Sequence, residues 1–471
     1  MELTLSFVSL LQEFRPVFTE PSFRLFVHLL SGWALSCRHR YITECIFTSG
    51  HVGDGHWSRY HRFFSHAAWS LDTLCMVLAR LLVAVFAPTG IIVLAGDDTL
   101  CRKRGLTLYG AGMHHDPLIS SRAFKLVSWG HDWVVLALLV PLPKWAPTKV
   151  FALPVGFRLY KNRQGLTKGK KQSSPEGKGK GKGKGKGTRS PKQRRPADPN
   201  HRTRPELLVE LITLFASWFP DREIMVTADS AYGGRSVLQK LPPNVHLISH
   251  AHPKAALYAP APPPAPHQKG RRRKKGARLP GMAAWAQDAT RPWETLPFDQ
   301  FGLHATLQVK VMQALYYKAG KDRLLTLVLT RDATGKRPDA LFYCTLLAWD
   351  ARTILSTYAG RWALEVTFES SKQYLGLEDP ANRLPKAVQR TAPMALVLHS
   401  LVVLWFERGG QAFLSFPERP WYKRKKEPSF ADLLTALRRQ SWLEKLAQLV
   451  SKGSPHEKLA AELAELASRV G

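Results

Sequence analysis

Three carboxylates stand where they could bind a metal ion together. Asp97 follows the apolar run "IIVLAG", Asp229 follows "IMVTA", and Glu365 lies within "YAGRWALEVTFESSK" at 358–372. Each Asp ends an apolar run just ahead of turn-forming residues, where an Asp more often caps or turns the chain. Two strand-borne Asp residues and a Glu from a helix on the same sheet form an oxygen donor set suited to hard cations. Two Mg²⁺ ions about 4 Å apart can stabilise both the attacking and the leaving oxygen of an in-line phosphodiester displacement.

The Glu-bearing stretch adds three polar residues on one arc. At 100° per residue, Tyr358, Arg361, Glu365 and Lys372 fall within about 60° of each other on a helix. Arg361 and Glu365 also form an i,i+4 pair, which alone is a common surface decoration worth about 0.2–0.5 kcal/mol. Trp362, Val366 and Phe368 are expected to anchor the rest of the circumference, so the polar stripe lines a cleft. Two alternatives stay open on spacing: Asp98 could replace Asp97, since successive strand residues face opposite sides and only one can enter the site. Glu369, within about 20° of Tyr358 on the wheel, could replace Glu365.

These residues need elements to position them. Residues 1–88 carry apolar residues at helical spacing, with the basic and aromatic "HWSRYHRFFSHAAW" among them, and read as a helical, DNA-end-binding domain. From 89 to 252, the runs "GIIVLAG", "HDWVVLALLVPL" and "KVFALPVGFRLY" read as sequential strands, and "RPELLVELITLFASWF", "REIMVTA" and "NVHLISHA" as a helix and two strands. This alternation is α/β. Residues 253–350 read as an insertion region that becomes strand-rich over 306–348, residues 351–415 as helices carrying the Glu motif, and 416–471 as a C-terminal helical region.

Lys and Arg total 68 against 36 acidic residues, a net charge of +32. Such an excess favours a polyanionic partner, nucleic acid or an anionic membrane surface. Two low-complexity segments hold about two thirds of it: 161–204, with "GKGKGKGKGKG" and a net +14, and 253–293, with "GRRRKKGAR" and a net +8. The first lacks the apolar residues a fold requires and is expected to be a disordered basic insertion, and both are expected to add nonspecific DNA affinity. It also lacks the GK[ST] register of a P-loop.

Five scattered cysteines without a C-x-x-C pair exclude a disulfide framework and a zinc ribbon, and fit a reducing cytoplasm. The N-terminus has no basic n-region of a signal peptide. The apolar runs near 74–96 and 394–406 are interrupted or too short to span a bilayer and read as core. His246, His250 and His252 have no fourth ligand at metal-site spacing, and His114 and His115 read as a loop pair.

The order "DDT", "ADSAYGG" and "YAGRWALEVTFESSK", followed by "QYLGLED", resembles bacterial insertion-sequence transposases of the DDE superfamily, in the subgroup with the Y-(2)-R-(3)-E-(6)-K signature. The likeness runs loosely over 55–405 and is most specific at Tyr358, Arg361, Glu365 and Lys372. It implies a ribonuclease H-like catalytic domain with a β-rich insertion between the second Asp and the Glu. It further implies Asp97, Asp229 and Glu365 as catalytic ligands of two Mg²⁺, with Mn²⁺ as a substitute, and Tyr358, Arg361 and Lys372 as DNA-phosphate contacts. The implied partners are element ends with terminal inverted repeats, target DNA, and a second copy of the chain in a dimer on the bacterial nucleoid. The residues alone also admit a metal-dependent nuclease without strand transfer, or a basic nucleic-acid-binding protein whose carboxylates are structural.

Overall fold

The computed structural model describes residues 3–121, 123–162, 201–263, 272–300, 303–416 and 425–451, together with 460 and 463. The basic run "GKGKGKGKGKG", and with it the expectation of disorder, lies outside the described residues.

The chain opens with five helices: α1 (Leu5–Gln12), α2 (Glu20–Leu35), α3 (Ile42–Ser49), α4 (Ser58–Ser65) and α5 (Leu71–Phe86). Strands β1 (Ile92–Arg102), β2 (Gly112–His115), β3 (Val127–Pro141) and β4 (Val150–Tyr160) follow, then α6 (Arg204–Trp218), β5 (Ile224–Ala228), α7 (Arg235–Leu238) and β6 (Val245–His250). The next stretch holds α8 (Met282–Gln287), β7 (Glu294–Gln300), β8 (Leu303–Leu315), α9 (Tyr317–Gly320), β9 (Leu324–Asp332) and β10 (Ala340–Cys344). Helices α10 (Ala351–Gly360), α11 (Trp362–Leu375), α12 (Pro385–Thr391), α13 (Pro393–Glu407) and α14 (Phe430–Ser451) complete it.

The strands form one mixed sheet in the order β2-β3-β1-β5-β6-β10-β9-β8-β7, with β4 also paired to β3. The centre is parallel, β1 beside β5 and β5 beside β6, whereas β1–β3 and β3–β4 are antiparallel. This α/β arrangement, a large mixed sheet covered by helices, is consistent with a ribonuclease H-like domain. The expected strand-rich segment is present, but it continues the main sheet instead of standing apart, because β10 pairs antiparallel with β6. Part of the second low-complexity segment is built into the fold too: Trp285 of α8 is buried, and Tyr258 pairs with both Arg278 and Leu315.

Both faces of the central strands are covered, which is why β3 and β4 are nearly continuous apolar runs. On one face, α6 starts at a capping box in which Thr203 and Glu206 satisfy each other's backbone N–H groups. Gly96 makes room there: a Cβ at this position would stand 2.6 Å from Leu208 Cδ1. On the other face lie α11 and α13, where Thr367 Oγ1 donates to Ala152 O (2.8 Å) and Ser400 Oγ to Pro154 O (3.0 Å). Helix α13 is buried on every side, from Pro393 to Phe406. By length and composition Pro385–Glu407 could cross a membrane, yet in this fold it is the central core helix.

The N-terminal helices are helical as expected and share this core. Trp33 Nε1 donates to Leu375 O (2.7 Å), Arg390 donates to the carbonyls of Phe64 and Ala67, and Phe7 packs on Trp405. His114 and His115, expected in a loop, are instead the last residues of β2, because this short strand pairs with the start of β3. His114 is thereby buried.

Candidate active site

Asp97 is not at a strand end, as its sequence context suggested, but in the middle of β1, opposite Val135 of β3. Alternation along the strand decides where its side chain goes. Gly96 faces α6, so Asp97 faces the opposite side, toward α11, and Asp98 returns to the α6 face. Asp229 lies one step beyond the last β1–β5 pair, Gly96 with Ala228, so it continues the parallel register alongside Asp97. Its charge adds to the upward push on the Asp97 carboxyl. Asp229 also does the turn work expected of it, with Oδ1 accepting from Ala231 N (2.9 Å).

The third carboxylate arrives on the helices. Asp350 caps α10 by accepting from Thr353 N (2.8 Å), and Arg361 sits at the α10–α11 junction. Its Nη1 donates to Asp97 Oδ2 and its Nη2 to Glu365 Oε1 (2.9 Å), so one guanidinium bridges strand and helix. Glu365 therefore belongs to this cleft. Glu369 faces another way, into a groove shared with Trp362, Val366 and Lys149. The expectation that Trp362 and Val366 anchor the helix is overturned: they are 56% and 47% exposed, and Leu364 and Phe368 do the anchoring. The apolar face of α11 points toward β4 and α13, which leaves 362, 366, 369 and 373 on the outer side.

Tyr358, Arg361 and Lys372 all border the Asp97 side. Tyr358 packs edge-on against Phe342 and His250, each with ring centroids 4.9 Å away. Arg361 lies 5.8 Å from the Tyr358 ring centroid. Lys372 Nζ donates to Leu100 O (2.7 Å), one strand alternation beyond Asp98. His250 stands in this aromatic cluster and His246 beside Glu223, so the "HLISHAH" histidines do not converge on a metal.

Burial pushes the Asp97 carboxyl up to about 7, against the pull of Arg361. A carboxylate this deeply desolvated needs a cation beside it to stay ionised. Arg361 provides one here; burial opposes its charge, and Asp97, Tyr358 and Glu365 outweigh that burial. The buried Nε of Arg361 has no hydrogen-bond partner. The donor set of Asp97, Asp229 and Glu365 is all oxygen, and its deepest member lacks solvent to balance its charge; both properties fit a divalent hard cation.

A second buried cluster lies behind Asp98 and was not foreseen. Tyr232 Oη donates to Asp98 Oδ1, Arg204 Nε donates to Asp132 Oδ2 (2.6 Å), and Arg204 reaches Asp98 Oδ2 at 3.4 Å. Arg204 also covers the Tyr160 ring at 4.3 Å. Burial, and then the Asp98 charge, push Asp132 up to about 7. Asp98 is thus held away from the Arg361 side. The sequence signal was a lone Asp in the apolar run "HDWVVLALLVP", a residue that must be paired once both faces of its strand are covered.

Comparison with known families gives one finding: the profile of the family described as DDE superfamily endonuclease matches residues 13–311. The match includes Asp97 and Asp229 and ends before α11. No curated protein matches the chain.

Proposed function

The chain belongs to the DDE superfamily endonucleases, a divalent-metal-dependent group acting on DNA, and from that membership we propose that it is an insertion-sequence transposase that cuts element ends and joins them to target DNA. The observation that carries this reading is the Arg361 bridge between Asp97 and Glu365, with Asp229 level with Asp97, one step past the Gly96–Ala228 pair. That bridge holds the α10–α11 junction, with Tyr358 before it and Glu365 and Lys372 after it, against the strand that bears Asp97.

Asp97, Asp229 and Glu365 would hold two Mg²⁺, or Mn²⁺ in their place, and these ions would stabilise the attacking and leaving oxygens of the displacement. The chain's own cations do the rest. With a divalent ion neutralising Asp97, Arg361 would be released to turn its planar donors toward a DNA phosphate. Lys372 supplies a point charge further along the same groove, and the Tyr358 hydroxyl a neutral donor. In cleavage, a water oxygen bonds to phosphorus at the element end and the P–O3′ bond breaks, leaving a 3′-OH. In joining, that 3′-oxygen bonds to a target phosphorus and displaces the target's own 3′-oxygen. The N-terminal helices would recognise terminal inverted repeats, with two chains pairing two ends.

The test uses the full chain with labelled element ends and magnesium. Glu365→Gln is expected to lower strand cleavage by about three orders of magnitude, ~4 kcal/mol of transition-state stabilisation. Full cleavage by that variant would overturn the assignment. Pre-cut ends incubated with plasmid separate transposition from hydrolysis: joined products support the transposase, and hydrolysis alone would make the chain a nuclease.

A further inference from the structure

Among the described residues, the group of metal-ligating side chains that converges most tightly is not the acidic cleft. It is His28, His51 and Asp54, whose candidate ligand atoms all lie within 4.8 Å of one another. His28 stands on α2, whereas His51 and Asp54 belong to the connection between α3 and α4. Gly50 (φ +80°) and Gly55 (φ +100°) turn this connection back over α2. None of these elements bears Asp97, Asp229 or Glu365.

The hydrogen bonding of the two imidazoles resembles that of metal ligands. His28 Nδ1 is 3.1 Å from the hydroxyl of the fully buried Tyr60, which leaves Nε2 as its free nitrogen. His51 Nδ1 is 2.5 Å from Asp54 Oδ2. An oxygen partner on one ring nitrogen, orienting the other, is the usual support of a metal-bound histidine. The rings lie parallel, with centroids 3.4 Å apart. An imidazole donates to a metal through a lone pair in its ring plane, so one ring turns out of this stack when both share a cation with Asp54.

We propose that His28, His51 and Asp54 form a transition-metal site of the zinc class, distinct from the acidic cleft, that fastens the 50–55 connection to α2. Two imidazole nitrogens, which are borderline donors, joined by one carboxylate oxygen suit Zn²⁺, unlike the all-oxygen set that Mg²⁺ takes. The fourth tetrahedral position stays open to water. The fastened connection leads directly into Trp57, which is 56% exposed, and into α4, whose Arg59 and Arg62 are exposed while Tyr60, Phe63 and Phe64 are buried. The metal would thus set the pose of a surface with the composition of a nucleic-acid contact.

The experiment titrates chelator-stripped full-length protein with Zn²⁺ alone, in an Asp97→Asn, Glu365→Gln background that removes the acidic cleft as a competitor. We expect one equivalent bound per chain. His51→Gln and Asp54→Asn, both outside any helix, should each weaken binding by about tenfold or more. Amide exchange over 50–55 should slow on zinc addition in the parent and not in either variant. The proposal is overturned if the parent binds no zinc tighter than about 10 μM, or if both variants retain the parent's affinity and zinc-dependent protection.

Discussion

Arg361 donates to Asp97 across the gap between α11 and β1 while holding Glu365 one helical turn away. This contact makes Arg361 a resident counter-charge in the position a metal ion would neutralise. Arg361→Gln should therefore tighten Mn²⁺ binding to the DNA-free chain, because the ion no longer competes with a guanidinium for Asp97. The same change should lower DNA cleavage by about ten- to a hundredfold, through loss of a phosphate donor. Electron paramagnetic resonance of free Mn²⁺ checks the first effect; weaker binding in the variant would sink the counter-charge argument.

Glu365 and Glu369 are one turn apart on α11 and face different surroundings. Glu369→Gln is expected to leave cleavage within about threefold of the parent, a change under 1 kcal/mol, while Glu365→Gln removes it. Equal losses in the two variants would mean that the helix presents another face to the substrate.

Arg204 is the cation shared by Asp98 and Asp132, and Asp132 is buried. Arg204→Met leaves that acid without its partner and should cost about 3 kcal/mol in urea unfolding. Adding Asp132→Asn should recover part of the loss, since a neutral amide needs no counter-ion. No recovery in the double variant would mean that packing on Tyr160, not charge, is what Arg204 contributes.

His399 is fully buried against Phe430, with ring centroids 4.0 Å apart, and burial lowers its pKa to about 3. In the unfolded chain it takes up a proton below about pH 6.5, which the folded chain cannot match until about pH 3. Falling pH therefore favours unfolding across this window, by up to about 1.4 kcal/mol per pH unit from this one residue. His399→Phe should flatten the acid side of the stability profile and leave stability at pH 8 within about 1 kcal/mol. An unchanged slope between pH 6 and 4 would place the proton uptake elsewhere.

Much of this molecule was legible in order. Period and composition located β1, β3, β4, α6, β5 and β6 and the strand-rich stretch near 306–348, because apolar alternation reports local burial wherever a strand or helix packs. The helical stripe placed Arg361 and Glu365 together because their spacing is set by the α-helix itself. What periodicity reports is that a residue is covered, and not by what. Hence Trp362 and Val366 counted as anchors, although α11 turns them outward, and β2 was missed, because four residues are too few to show a period.

By itself the sequence offered the three candidate carboxylates, the polar stripe of 358–372 and the α/β order. Tertiary structure decided which of two adjacent aspartates enters the cleft. Asp97 and Asp98 are chemically identical, and only the side of the sheet that Gly96 yields to Leu208 of α6 sends Asp98 to Arg204 and Asp97 to Arg361. It also decided that His28 meets His51 and Asp54, over a separation of more than twenty residues that no local spacing rule reaches. Contacts between elements are fixed by how their faces pack, and that information is distributed over the whole core rather than written beside the residues it brings together.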